Sequence, residues 1–315
     1  MSPFSWLKTT IKKLIAGSTN ERLDGIHHQL QTLTTKVREL QSLLATRTNV
    51  LGHTMFLDPE DKVVSPTLLH NGCFEPLETE LVMRIVRPGD VVLDLGANIG
   101  YYTLLFARLV GESGKVIAFE PDPNNFRLLQ KNIYANGYRN VILFNKAVAD
   151  TQGTMRLFLC EDNKGDHRLY DSGDNRTVIS VETTTVDAAI APLTDRVDLI
   201  KMDIQGSEPR ALRGMRHTLT NNPNIQLISE FWPISFDRTG YKAIEYLEEL
   251  RRLGFDLWNI DEHHRAIQPT TDEWLINNYG PEKSFAFTNL YCIRGERNGK
   301  EIRTALAGLY HSAAA

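Results

Sequence analysis

The sequence predicts an α/β fold, an open and mostly parallel sheet with helices on both faces, preceded by a separate helical segment. Three observations predict it. Apolar runs of strand length alternate with longer helical stretches from Val91 onward, and those runs carry few polar residues, as strands buried on both faces do. The stretch before residue 50 has a different, heptad-like period.

Taken in order, residues 1–16 mix Phe4, Trp6, Leu7, Ile11, Leu14 and Ile15 with Lys8, Lys12 and Lys13. This pattern reads either as a basic amphipathic helix on an anionic membrane surface or as a helix docked on protein. From Leu23, the residues Ile26, Leu30, Leu33, Val37, Leu40 and Leu44 follow at alternating steps of three and four. That spacing is the seam of a left-handed coiled coil, so residues 1–50 are expected to oligomerise the chain through Leu23–Leu44. Each seam residue contributes roughly 1.5–3 kcal/mol when buried against a partner helix. The alternative is an amphipathic helix packed on its own domain.

A linker is expected around Leu57–Pro66, inside a main domain spanning 51–295. Val91–Leu95 then reads as a strand and Tyr101–Val110 as a helix. Val116–Glu120, the helix Asn124–Asn136 and Val141–Phe144 follow. Further on come the strand Val197–Met202, a helix near Glu208–Leu219, the strand Gln226–Phe231, a helix near Tyr241–Leu253, and the strands Phe255–Asn259 and Phe285–Ile293. Parallel strands need crossover helices, which this alternation supplies. Thr154–Cys160 and Thr177–Asp187 look like an inserted antiparallel pair around a polar loop. Residues 296–315 read as a frayed C-terminal tail.

Composition narrows the function. Lys plus Arg total 35 against 39 Asp plus Glu, and a net charge of −4 offers no basic face for nucleic acid. Cys73, Cys160 and Cys292 lack CxxC spacing and read as reduced thiols of a cytoplasmic protein. No apolar run approaches the roughly 20 residues of a membrane span. Any membrane contact would be peripheral, through residues 1–16. His263–His264 does not form a chelating pattern, and no metal is expected.

The first strand ends in "VVLDLGANIGYY", Val91–Tyr102, where open α/β sheets bind ligands beyond the carboxyl ends of their strands. A dinucleotide turn uses G-x-G-x-x-G, whose second glycine lets pyrophosphate press on bare backbone; here Asn98 occupies that position. The second strand ends in Glu120, 24 positions after Gly96, near the spacing of an acidic residue that takes ribose hydroxyls. A ribose without a diphosphate points to S-adenosylmethionine. Gly96 would supply the turn, Asp94 would receive the amino-acid tail's ammonium, and the amides opening the next helix would hold its carboxylate.

On "VVLDLGANIGYYTLLFAR", "VIAFEPDPNNFRLLQKNI", "NKAVAD", "VDLIKMDIQGSEPRALRGM" and "LISEFW", the chain resembles the FkbM-type S-adenosylmethionine-dependent methyltransferases from about Gly89 to Arg294. The resemblance implies a Rossmann-like class I methyltransferase fold, with a seven-stranded, mostly parallel sheet and an antiparallel last strand. It also implies methylation of oxygen on polyketides or sugars. Asp94, Gly96, Asn98, Gly100, Glu120 and Asp203 carry over, and Ala97 and Pro121 belong to the same cofactor site. The chain departs from the family's D-[VI]-E-G-x-E pattern in having Gln205 at the first Glu position.

Transfer to a hydroxyl needs alignment and a base, the latter contributing about 10²–10⁴-fold. In the insertion loop "NKGDHRLYD", His167 is the first choice for base, with Asp166 beside it and Arg168 placed to bind substrate. Asp203 and Glu230, at strand ends, compete for the same role. Trp232 is expected at the substrate wall, and Glu208 reads as a first-turn helix carboxylate with a structural role. The expected activity is O-methylation of a hydroxyl on a sugar, glycan or related small molecule. A non-catalytic cofactor-binding scaffold assembled by the coiled coil is the alternative, and an NAD-dependent oxidoreductase is disfavoured by Asn98.

Overall fold

A computed structural model describes residues 24–33, 46–283 and 286–295. The chain divides into two units, Met1–Thr46 and Arg47–Ala315. In the first, residues 24–33 are helical, with Ile26, Leu30 and Leu33 exposed at 45%, 57% and 46%. The other seam positions, Leu23, Val37, Leu40 and Leu44, lie outside the described residues, as do residues 1–16 and the tail 296–315.

Elements are numbered here from residue 46. The hairpin β1 (Thr46–Val50) and β2 (His53–Leu57) leads to α1 (Val64–Asn71) and α2 (Pro76–Ile85). Then follow β3 (Val91–Leu95), α3 (Tyr101–Val110), β4 (Lys115–Phe119), α4 (Pro123–Ala135) and β5 (Val141–Phe144). The insertion comprises β6 (Ala147–Val148), β7 (Gly153–Leu159) and β8 (Thr177–Thr184), and α5 (Val186–Ile190) leaves it. The second half holds β9 (Leu199–Met202), α6 (Glu208–Arg213), α7 (Arg216–Asn221), β10 (Gln226–Phe231), α8 (Pro233–Arg238) and α9 (Ala243–Arg252). It ends with β11 (Asp256–Asp261), β12 (Ala266–Pro269), α10 (Asp272–Tyr279) and β13 (Thr288–Ile293).

The main sheet has eight strands in the order β12-β11-β13-β10-β9-β3-β4-β5. The strands β5, β4, β3, β9 and β10 run parallel, and β13 enters antiparallel between β10 and β11. Seven of the strands match the expected arrangement. The eighth, β12, is an edge strand paired antiparallel with β11; its "AIQP" is too short and mixed to announce itself. Central β3 is buried on both faces, with Val92, Leu93 and Leu95 each at 0% exposure. That is why its sequence reads as one apolar run rather than an alternation.

Local chemistry sets several boundaries. The "PDP" after Glu120 starts α4: the Asp122 side chain accepts the Asn125 amide at 3.1 Å and a proline occupies the first turn. The single helix expected over Glu208–Leu219 is two short ones. At the break, a Cβ on Gly214 would meet the Ala149 carbonyl oxygen at 2.2 Å, so the insertion's backbone packs against this point. The second inserted strand stops at Thr184, because Thr185 turns to cap α5 by accepting the Ala188 amide. The region Leu57–Pro66 is not a linker. Buried Asp61 there accepts the amides of Ser65 at 2.5 Å and, from the distant insertion, Lys164 at 3.0 Å. Among the described residues no helix is long and apolar enough to cross a membrane, and the three cysteines are free.

Candidate active site

The carboxyl ends of β3, β4, β9 and β10 open into one cavity of about 780 Å³. The turn after β3 forms its floor. Gly96 has φ 88°, and a Cβ there would stand 1.9 Å from the Asp203 carbonyl oxygen, so glycine is required twice over. The Gly96 and Ala97 amides both donate to the Phe119 carbonyl, at 3.0 and 2.9 Å, fixing the turn to the end of β4. Gly100, at φ 95°, opens α3 without a side-chain cap.

Glu120 reaches under this turn. Its Oε2 accepts the Asn98 amide and its Oε1 the Asp122 amide, each at 2.8 Å, and the residue is 4% exposed. Burial, then the nearby Asp122 charge, pushes its carboxyl up to about 8. Asp94 accepts the Thr103 hydroxyl at 2.5 Å, and burial pushes it up to about 6. Pro121 lines the same cavity.

Asn98 adopts a left-handed φ of 50°. Its side chain turns to the insertion loop, where Nδ2 donates to the Lys164 carbonyl at 3.3 Å, and Asn125 Nδ2 donates to the same oxygen at 2.9 Å. The loop that was expected to carry catalytic groups therefore folds over the turn after β3.

The predicted residues line one cavity but differ in the partners that hold them. His167 lines the same cavity as Asp203 and Glu230, but both ring nitrogens already have partners: Nδ1 accepts the Cys160 amide at 3.1 Å, and Nε2 lies 3.6 Å from Asp122 Oδ2. In that neutral tautomer Nε2 carries the proton, and neither nitrogen offers a lone pair to a substrate. The facing ring and two backbone amides outweigh burial at Asp122 and hold its carboxyl below the usual range. The expectation that His167 is the first-choice base thus meets a ring already committed to the loop. Asp166 is committed as well. It accepts Arg168 Nε and Nη2 at 2.6 and 2.8 Å and Arg176 Nη2 at 2.8 Å. That fork orients Arg168, whose guanidinium lies 4.6 Å from the Trp232 ring centre.

Asp203, Glu230 and Gln205 do converge. Gln205, held at φ 52°, donates through Nε2 to Asp203 Oδ1 at 2.7 Å and to Glu230 Oε1 at 3.3 Å. Asp203 also faces Lys201 Nζ at 3.5 Å. Glu208 accepts the Ile204 and Gly206 amides at 2.8 and 2.9 Å and so braces this turn from behind. Glu230 is 6% exposed, and its Oε2 has no hydrogen-bond partner among the described residues. Burial, followed by the charges of Asp203, Glu208 and Glu75, drives its carboxyl well above the ordinary value, against the opposing pull of Lys201. Trp232 Nε1 is likewise buried and unpartnered among the described residues.

Three charged residues in or behind this wall were not anticipated. Lys201 is 3% exposed and pairs with Glu78 at 3.3 Å; a lysine in the otherwise apolar "LIKM" strand was the available signal. Glu75 and Glu78 come from the turn and helix before β3, in a segment whose pattern shows nothing unusual. Glu75, at φ 43°, accepts the Tyr102 hydroxyl at 3.0 Å and Asn289 Nδ2 at 3.1 Å. His264 pairs with Asp261 on an exposed turn, and no group of three or more His, Cys, Asp or Glu among the described residues is placed to hold a metal.

The methyltransferase FkbM domain profile matches residues 94–257, just over half the chain. The 2-O-methyltransferase NoeI of Sinorhizobium fredii is 29% identical over 158 residues, covering 45% of this chain and 63% of that protein. The 31-O-demethyl-FK506 methyltransferase FkbM of Streptomyces tacrolimicus is 29% identical over 164 residues, covering 41% and 61%. The alignments thus span less than two thirds of these relatives' length. A S-adenosylmethionine-dependent methyltransferase from Aquifex aeolicus superposes with a TM-score of 0.38 at 14% identity, covering 73% of this chain and 94% of that one. The profile match begins at Asp94, the last polar residue of β3, and runs through the turn, Glu120 and the Asp203–Glu230 wall; the chain belongs to the FkbM family of S-adenosylmethionine-dependent methyltransferases.

Proposed function

We propose that the chain transfers a methyl group from S-adenosylmethionine to a hydroxyl of a sugar, glycan or related small molecule, with Glu230 as general base. The observation that carries this reading is Glu230 itself, a buried carboxylate in the wall of the cavity that Glu120 and Asp94 also line, with its Oε2 unpartnered among the described residues.

The residues fit the donor. Each oxygen of Glu120 accepts one amide and keeps a second lone pair, which suits a vicinal diol. Asp94 would take the ammonium, and the uncapped first turn of α3 the carboxylate. A diphosphate fits poorly, because the Lys164 carbonyl oxygen lies over the turn where a phosphate would have to approach. When bound, the donor supplies an electrophilic methyl on a sulfonium. The chain has to orient the acceptor and remove its proton. Arg168, fixed by Asp166 and stacked on Trp232, would orient the acceptor's polar groups, and the Glu230 carboxylate would accept the hydroxyl proton. Asp203, held by Lys201 and Gln205, helps keep Glu230 basic through its charge.

The test is label transfer from tritiated donor to a glycan and small-molecule extract. His167→Ala is expected to lower transfer by less than about tenfold and to leave its pH profile in place, since the ring secures a loop rather than accepting the proton. A loss as deep as that of a Glu230 variant would return the base role to His167.

Association through Leu23–Leu44 belongs to the same reading, and the exposure of Ile26, Leu30 and Leu33 supports it. Sedimentation of the full chain is expected to give a multiple of the mass per chain, and of a chain beginning at Arg47 a monomer. Monomers in both would remove the coiled coil.

A further inference from the structure

The cavity wall around Glu230 holds more carboxylates than cations. Glu230 ends β10, Asp203 follows β9, Asp94 ends β3, and Glu75 reaches across from the turn before α2. Lys201 sits among them, 3.3 Å from Glu78 and 3.5 Å from Asp203, with its ammonium 4.4 Å from the Tyr102 ring centre. Glu208 of α6 and Tyr170 of the insertion also face Glu230 electrostatically. Arg168 lies near through Trp232, but its charge is committed to Asp166 in a two-bond fork.

A buried carboxylate with one bare oxygen keeps its proton until a positive charge comes close enough to replace it. Glu230 meets that description, at 6% exposure and with Oε2 unpartnered among the described residues. The methyl donor and its spent product differ by one methyl group and one positive charge on sulfur.

We propose that Glu230 gives up a proton when the cationic methyl donor enters this cavity and takes one back when the neutral thioether remains, so that the carboxylate wall distinguishes donor from spent product by charge. This rests on the reading of the cavity as the methyl-transfer site. The charge balance closes. Methyl transfer from a sulfonium to a hydroxyl yields an ether, a neutral thioether and one proton, and Glu230 receives that proton as the positive sulfur disappears. The buried wall thus keeps the same net charge throughout, which avoids leaving an uncompensated charge out of water at either end of the reaction. Burial and neighbouring carboxylates raise the proton affinities of both Glu230 and Glu75, the direction this proposal requires.

Calorimetry of the full chain tests this without any acceptor. S-adenosylmethionine and S-adenosylhomocysteine are titrated in buffers of different ionisation enthalpy between about pH 5.5 and 7, below the range where a free α-amino group titrates. The donor is expected to release close to one proton more than the product. Its affinity should rise with pH relative to the product's, approaching tenfold per pH unit. In Glu230→Gln the difference in proton release should vanish while product affinity stays within about threefold; Glu75→Gln should retain it. Equal proton release by both ligands on the unaltered chain would overturn the proposal, with the methyl-transfer site still standing. A difference that persists in Glu230→Gln would overturn the assignment to Glu230. Binding of neither ligand would overturn the cofactor reading, and this inference with it.

Discussion

Glu230→Gln is expected to cut methyl transfer by about 10²–10⁴-fold, the loss associated with removing a general base. The amide fills the same space and can still meet Gln205, so the wall should keep its shape. Affinity for S-adenosylhomocysteine, which carries no sulfonium, checks that the cavity survives. The pH profile supplies a second signature. A base works only when unprotonated, and burial with neighbouring carboxylates pushes Glu230 well above the ordinary carboxylate value. At limiting donor, kcat/KM should therefore rise with pH along a limb lying above the usual carboxylate range near 4.3, and Glu230→Gln should abolish that limb. A limb unchanged in the variant would assign the base elsewhere, with Asp203 next in line.

Gly96→Ala should be the most damaging change on the cofactor side. The added Cβ would stand 1.9 Å from the Asp203 carbonyl oxygen, which is backbone and cannot rotate away, and the position requires φ 88°. Left-handed backbone costs a residue with a Cβ about 1–2 kcal/mol, and overpacking a further 1–3 kcal/mol. Together these amount to roughly 2–5 kcal/mol, split between lost stability and a displaced turn. A thermal melt and a donor titration measure the two parts. Gly137→Ala is a useful contrast: it shares a left-handed φ of 72° but has nothing within 4 Å of an added Cβ. It should show the backbone cost alone and leave donor affinity intact. Equal effects from the two substitutions would mean that the contact between Gly96 and Asp203 does not matter.

The central strands and the glycine turn after β3 were legible because their causes are local. Val91–Leu95 reads as a strand from its unbroken apolar run, and the turn from the placing of Gly96, Gly100 and Glu120. The insertion was legible as two strands but not in its purpose. "NKGDHRLYD" looks like a catalytic cluster by composition, yet Asn98, Asn125 and Asp61 draw it down over the turn, and its Asp and His spend their lone pairs on Arg168, Arg176 and a backbone amide. Nothing in the order of residues announces those distant partners. Gln205 is the reverse case. As a departure from the family pattern it casts doubt on a charged role, whereas in three dimensions its neutral amide joins Asp203 to Glu230.

By itself, the sequence determined the α/β class, the family and the turn after the first strand, because glycine placement, strand-end carboxylates and apolar periodicity act within a few residues of one another. Only the tertiary structure decided which acid is buried without a full set of partners at the cavity wall and which groups surround it. Glu75, Asp94, Lys201, Asp203 and Glu230 come from separate stretches of chain, and the proton affinity of each depends on burial and on charges a few ångströms away through space.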